Sequence, residues 1–180
     1  MRIKVSESVV LVVDLQHRLL PVIHGGDAVL SEATWLVDVA QTVHVPVLVT
    51  EHCPARIGMT DQALRSRIPA DCIVEKTHFS AVADDTLLQF PGADRQQWIV
   101  VGTEAHVCVL QTVLDLLSIG RNVFVLEEAV GSRRARDKAL ALGRMQQHGA
   151  EIVSREMVAF EWLESADNPR FRDVLHRFIR

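Results

Sequence analysis

Residues 98–120 read Trp98-Ile-Val-Val-Gly102-Thr-Glu104-Ala-His106-Val-Cys108-Val-Leu-Gln-Thr-Val-Leu-Asp-Leu-Leu-Ser-Ile-Gly120, and this stretch decides the fold. Trp98 to Val101 is short, apolar and β-branched, as a strand buried on both faces requires. Gly102 interrupts it. From Val107 onward Leu110, Val113, Leu114 and Leu117 recur at helical spacing, and Gly120 stands where a C-terminal cap belongs. The stretch therefore predicts a strand, a tight turn and a helix with Cys108 in its first turn. Unpaired N–H groups and the helix dipole favour a thiolate there, although an isolated cysteine is more often a small buried hydrophobe.

The same pattern repeats on either side. Val9 to Val13 is an apolar run ending in Asp14, and Asp27 to His44 carries apolar residues at helical spacing after Gly25-Gly26. Pro46 to Thr50 predicts a second strand, Glu51 to Thr60 a loop over a site, and Asp71 to Glu75 a weaker third strand running into Lys76. A short helix is expected over Asp84 to Phe90, a fifth strand over Asn122 to Leu126, a helix over Arg133 to His148 and a sixth strand over Glu151 to Ser154. Strands alternating with helices, without a linker or repeat, predict one domain over residues 1–180. Its fold class is α/β: a three-layer α/β/α, Rossmann-like arrangement with a doubly wound, six-stranded parallel sheet. Such an order sets strands one and four together where the winding reverses, and ligands bind outside the carboxyl ends there. The final segment, Pro169 to Arg180, places Phe171, Val174, Leu175, Phe178 and Ile179 on one helical face, which is expected to dock on the parent domain.

Composition narrows the function classes. The chain has 180 residues, 48% of them hydrophobic, and a formal charge of -4, which suits a globular core and argues against non-specific nucleic-acid binding. The apolar run after Lys4 is too short for a signal sequence or a membrane span, which predicts a soluble cytoplasmic protein with no membrane partner. Cys53, Cys72 and Cys108 are odd in number and widely spaced, so reduced thiols are expected rather than a disulfide framework.

Three strand ends offer Asp14, Lys76 and Cys108. A thiol needs ionisation to become a strong nucleophile, and an ammonium beside it would bring its pKa towards neutrality; a carboxylate can take the thiol proton and return it to a leaving amine. Lys76 starts roughly 10 Å from Asp14 if one strand lies between them, so its long side chain has to curl inward.

Val-Val-Asp14-Leu-Gln16, Glu75-Lys76-Thr77-His78-Phe79-Ser80 and Val101-Gly102-Thr103-Glu104-Ala105-His106-Val107-Cys108-Val109 together resemble the isochorismatase-like cysteine hydrolases over nearly the whole chain. Pro46 to Pro54, Gly131-Ser132-Arg133 and Asn168-Pro169-Arg170-Phe171 look most similar to the isochorismatase-domain proteins found from bacteria to animals. The resemblance implies a triad of Asp14, Lys76 and Cys108, covalent hydrolysis of an amide or related C–N bond, and homo-oligomers. It also implies a cis peptide joining Thr103 to Glu104 that aims an N–H at the oxyanion, with the N–H groups of Glu104 and Cys108 as the oxyanion hole. Gln16, His52 and Phe79 are the expected substrate-lining residues, around a small-molecule substrate.

The departures from the family's patterns matter too. Nicotinamidases of this superfamily carry Asp-x-His and a further histidine after strand two, where this chain has Thr50-Glu51-His52-Cys53. No metal and no cofactor are therefore expected, while metal-assisted nicotinamidase activity and a fold-retaining interaction protein stand as the alternatives. His106 reads as a flank of the nucleophile turn, and Arg133, Arg134 and Arg136 as a solvated helix start ahead of the alternative, a hold on a substrate anion.

Overall fold

In the computed structural model, which describes residues Met1–Arg180, the two most apolar strands lie side by side at the middle of one sheet. In chain order the elements are β1 (Ser8–Val13), α1 (Gly26–Thr42), β2 (Val47–His52), the single turns α2 (Pro54–Ile57) and α3 (Gln62–Arg65), and β3 (Ile73–Lys76). They continue with β4 (Gln97–Thr103), α4 (Leu110–Ser118), β5 (Asn122–Gly131), α5 (Ala135–Gln147), β6 (Glu151–Val153), α6 (Arg155–Leu163) and α7 (Phe171–Val174). All pairings are parallel, in the order β3-β2-β1-β4-β5-β6. The winding reverses between β1 and β4, as the alternation of elements predicts.

Alternation along β1 shows why both faces must be covered. Val10 and Val12 pack with Leu36 and Val37 of α1 and Val158 and Trp162 of α6, whereas Val9, Leu11 and Val13 pack with Val113 and Leu116 of α4 and Met145 of α5. This is the expected α/β/α sandwich, with a parallel sheet buried on both sides. The C-terminal segment docks on its own chain. Val174 is fully buried, and Trp35 Nε1 donates to the Phe178 carbonyl at 2.8 Å.

Several elements depart from the sequence expectations. The helix expected over Asp84 to Phe90 is only a 3-10 turn at Leu87–Gln89, because Asp85 takes a left-handed conformation (φ 59°) and Pro91 follows. Helix α6 is not evident in the sequence pattern; Ser154 caps it by accepting from Met157 N. The expected loop over Glu51 to Thr60 is partly regular: β2 runs on to His52, α2 forms one turn, and Thr60 makes a β-bridge with Gln16. Strand β5 also extends to Gly131, past a register shift opposite Val100/Gly102, which carries Ser132 and Arg133 towards the same end of the sheet.

Candidate active site

Strands β1, β2 and β4 each give way to a residue in the left-handed region: Asp14 (φ 52°), Cys53 (φ 42°) and Glu104 (φ 53°). Such conformations cost side chains of order 1–3 kcal/mol each and collect where a site needs a particular direction of approach. Gly102 (φ 146°) adds a further constraint. A Cβ there would lie 2.1 Å from the Val13 carbonyl, so only glycine lets β4 approach β1 this closely just before the site.

Asp14 is fully buried and fully engaged. Its Oδ2 accepts from Lys76 Nζ at 2.7 Å, its Oδ1 from Thr50 Oγ1 at 2.7 Å, and its carbonyl from Thr103 Oγ1 at 2.5 Å. Lys76 ends β3, with β2 between it and Asp14, and its side chain spans the gap the sequence leaves open. The ammonium also donates to the carbonyls of His78 (3.2 Å) and Phe79 (3.0 Å), so all three donors are used and the pair is neutral overall.

Cys108 sits in a turn of π-helix, Ala105–Val109, that leads into α4. Such turns recur at functional sites. The Glu104 carbonyl takes the N–H groups of Val107 (2.8 Å) and Val109 (3.4 Å), and that of Cys108 lies between them in the chain. The thiol shares a crevice of about 180 Å³ with Asp14, walled by Leu19, Ile57, Phe79 and Val107 and closed by His52, Glu104 and Arg133.

Electrostatics here reverse a sequence expectation. Burial, then the Asp14 carboxylate, push the Cys108 thiol up to about 12 from its ordinary value, and the opposing pull of Lys76 does not offset them. Lys76 spends its charge on Asp14, so the resting group is a neutral thiol facing a paired carboxylate. Burial, followed by the Lys76 charge, lowers the His52 pKa and keeps that ring neutral.

Other expected site residues fare differently. His52 and Phe79 do line the crevice, their rings 5.5 Å apart and tilted by 32°. Gln16 does not. It is fully buried: Nε2 donates to the carbonyls of His52 (3.0 Å) and Gly58 (2.5 Å), and Oε1 accepts from His52 N (2.8 Å), so it ties the β2 end to the following loop. The expected cis bond between Thr103 and Glu104 is also corrected, because every peptide bond is trans and the turn is made by the left-handed Glu104 instead. No three His, Cys, Asp or Glu side chains are grouped to hold a metal; Glu51 is taken up by Thr60 N (2.7 Å) and Arg65 Nη1 (2.5 Å).

Sequence reasoning missed Thr50, Thr103 and the side chain of Glu104, and preferred a solvated role for Arg133. Their signal was positional: Thr50 lies near the carboxyl end of β2, and Thr103, Glu104 and Arg133 at or just beyond the ends of β4 and β5, beside the strands that carry Asp14, Lys76 and Cys108. Arg133 is not part of a wholly solvated helix start, since its Nε forms an ion pair with Glu104 Oε1 at 2.9 Å and the residue lines the crevice.

A doubly wound sheet with a small, mostly apolar crevice at its switch point defines a Rossmann-like α/β protein with a candidate ligand site at the carboxyl ends of β1 and β4. The isochorismatase domain model matches residues 8–157. The chain belongs to the isochorismatase family and is a hydrolase of that family. It is 30% identical to the isochorismatase family protein 1A of Dictyostelium discoideum, over 94% of this chain and 85% of that one. Among solved structures it is similar to the MAR1 ribonuclease of Caenorhabditis elegans, with a TM-score of 0.90, 34% identity and coverage of 100% of this chain and 93% of that one. It also shares its fold with the YcaC gene product of Escherichia coli, an octameric hydrolase of unknown specificity, with a TM-score of 0.88, 22% identity and coverage of 99% and 97%.

Proposed function

We propose that this protein hydrolyses the C–N bond of a small amide through a thioester on Cys108, with Asp14 as proton carrier. The observation that carries the reading is a buried carboxylate, paired with Lys76, placed in one crevice with a thiol kept neutral by its surroundings. Asp14 takes the thiol proton as sulfur attacks the carbonyl carbon, and returns it to the departing nitrogen as the C–N bond breaks. Water then attacks the thioester, Asp14 takes its proton, and the carboxylic acid leaves with the thiol restored. Lys76 holds the Asp14 carboxyl in place, and the N–H groups of Glu104 and Cys108 serve the oxyanion. No metal or other cofactor enters this scheme.

The relative from Caenorhabditis elegans carries a ribonuclease name, but the features here favour a small neutral substrate. A polyanion would have to enter a crevice of only about 180 Å³, on a chain of net charge -4. No helix is long and apolar enough to cross a membrane, and the three free cysteines suit a reducing, cytoplasmic setting. Homo-oligomerisation is part of the same proposal, prompted by the octameric fold neighbour.

A screen of small amides, ureides and nitriles, read by ammonia release and by intact mass of the acylated protein, tests the reading. Turnover that depends on Cys108 and a mass adduct on that residue are expected. Turnover unchanged in Cys108→Ala would refute it.

A further inference from the structure

Glu104 and His106 both precede Cys108 in the nucleophile turn, and both reach across to the end of β5. Thr103 pairs with Gly131 there, which sets Ser132 and Arg133 beside the turn. Arg133 Nε lies 2.9 Å from Glu104 Oε1. On the other side His106 Nδ1 is 2.9 Å from Ser132 Oγ and 3.6 Å from Glu104 Oε2, an oxygen that is buried with no hydrogen-bond partner. Glu104 and Ser132 are themselves buried.

Where the His106 proton sits decides what this cluster does. A carboxylate only accepts, whereas a hydroxyl can do either. With Nδ1 bare, Ser132 would donate to it, and a ring lone pair would face the buried Oε2 with no proton between them. With the proton on Nδ1, Ser132 Oγ accepts it, and the positive edge of the ring offsets an oxygen whose isolation is otherwise costly.

We infer that His106, protonated at Nδ1, is a positioning residue: with Arg133 it holds the Glu104 carboxylate from two sides and so fixes the turn that presents Cys108. The path between them is short. Glu104 takes a left-handed conformation (φ 53°), and its carbonyl accepts from Val107 N and Val109 N, the residues on either side of Cys108. A side chain held from both sides pins that strained backbone, and with it the direction of the thiol and of the Glu104 N–H. This inference rests on Cys108 being the nucleophile of the proposed function, and it adds the residues that aim it.

Two measurements at pH 9 test the clamp. In protein labelled with ¹⁵N-histidine, two-bond proton–nitrogen correlation identifies His106 by its absence from His106→Asn. A protonated Nδ1 is expected; a bare Nδ1 with the proton on Nε2 overturns the inference. Alkylation by 2-chloroacetamide, read by peptide mass spectrometry, then follows the turn: the sulfur displaces chloride and the thiol proton goes to solvent base. A buried thiol reacts through the fraction of molecules in which the turn has opened. Losing a hold on a buried carboxylate, comparable to one hydrogen bond to a charged group, should therefore raise the Cys108 rate roughly ten- to a hundredfold in His106→Leu. His106→Asn, whose amide stands where Nδ1 stands, should keep the wild-type rate, while His106→Gln, whose amide reaches only the Nε2 position, should behave like His106→Leu. Arg133→Met alters a largely exposed side chain and should also raise the rate, so the outcome does not depend on His106→Leu folding.

Cys53 and Cys72 in the same digest are expected to be unchanged. A rise shared by all three cysteines is general loosening and overturns the clamp. So does an unchanged Cys108 rate in His106→Leu or Arg133→Met, or His106→Asn and His106→Gln behaving alike. Turnover that survives Cys108→Ala refutes the proposed function without moving any of these readings, so the two failures are distinguishable.

Discussion

Lys76 Nζ lies 2.7 Å from Asp14 Oδ2 across the intervening strand β2, with the two side chains 3% and 0% exposed. Each charge is tolerable in the interior only because of the other. Asp14→Asn should strand a buried ammonium and Lys76→Met a buried carboxylate, each costing about 3–5 kcal/mol in urea unfolding. The double variant should recover most of that loss while remaining inactive. Additive losses in the double-mutant cycle would show that the pair is not coupled.

The neutral Cys108 thiol gives stability a definite pH dependence. Its native pKa, about 12, lies above the ordinary 9.0, so between those values the unfolded chain has released a proton that the native protein still holds. Stability from this group is complete below pH 9 and falls as pH rises through the window. Urea midpoints measured from pH 7 to pH 10.5 should decline more steeply for the wild type than for Cys108→Ala.

The same protonation state sets an order of labelling. At pH 7 iodoacetamide should reach the half-buried Cys53 before the buried, un-ionised Cys108. Peptide mapping after brief exposure checks this, and fast selective labelling of Cys108 would mean that Lys76 activates the thiol after all.

Gly102 is predicted to admit no side chain. Gly102→Ala places a methyl against the Val13 carbonyl and demands a φ of 146° from an L-residue, which should cost roughly 2–4 kcal/mol and displace the end of β4. Chemical unfolding reads the first effect and loss of turnover the second.

Gln16 should prove structural. Gln16→Leu leaves His52 N–H and two carbonyls without their partner, for about 2–4 kcal/mol of stability. Proteolysis between residues 53 and 60 should quicken in step, whereas a residue that merely lined the substrate would change KM and leave the unfolding midpoint alone.

The layout of the sheet was legible in the chain because parallel strands buried on both faces must be continuous apolar runs, and Val9 to Val13 and Trp98 to Val101 can hardly be anything else. Topology then brought Asp14 and Cys108 to one crevice, since the winding reverses between the strands they follow. Short elements were less legible. The turn at Leu87–Gln89 and helix α6 depend on single backbone angles and on partners far away in sequence.

What the sequence by itself determined is therefore the order of the strands' chemistry: an acid after the first, a lysine ending the third, a thiol after the fourth. Only the tertiary structure decided what those groups are to one another. It carried Lys76 over β2 to neutralise Asp14 and buried Cys108 until its proton stayed on. It turned Gln16 away from the site and brought Glu104 and Arg133 into it. Charge and burial are sums over neighbours from every part of the chain, and a local pattern contains none of them.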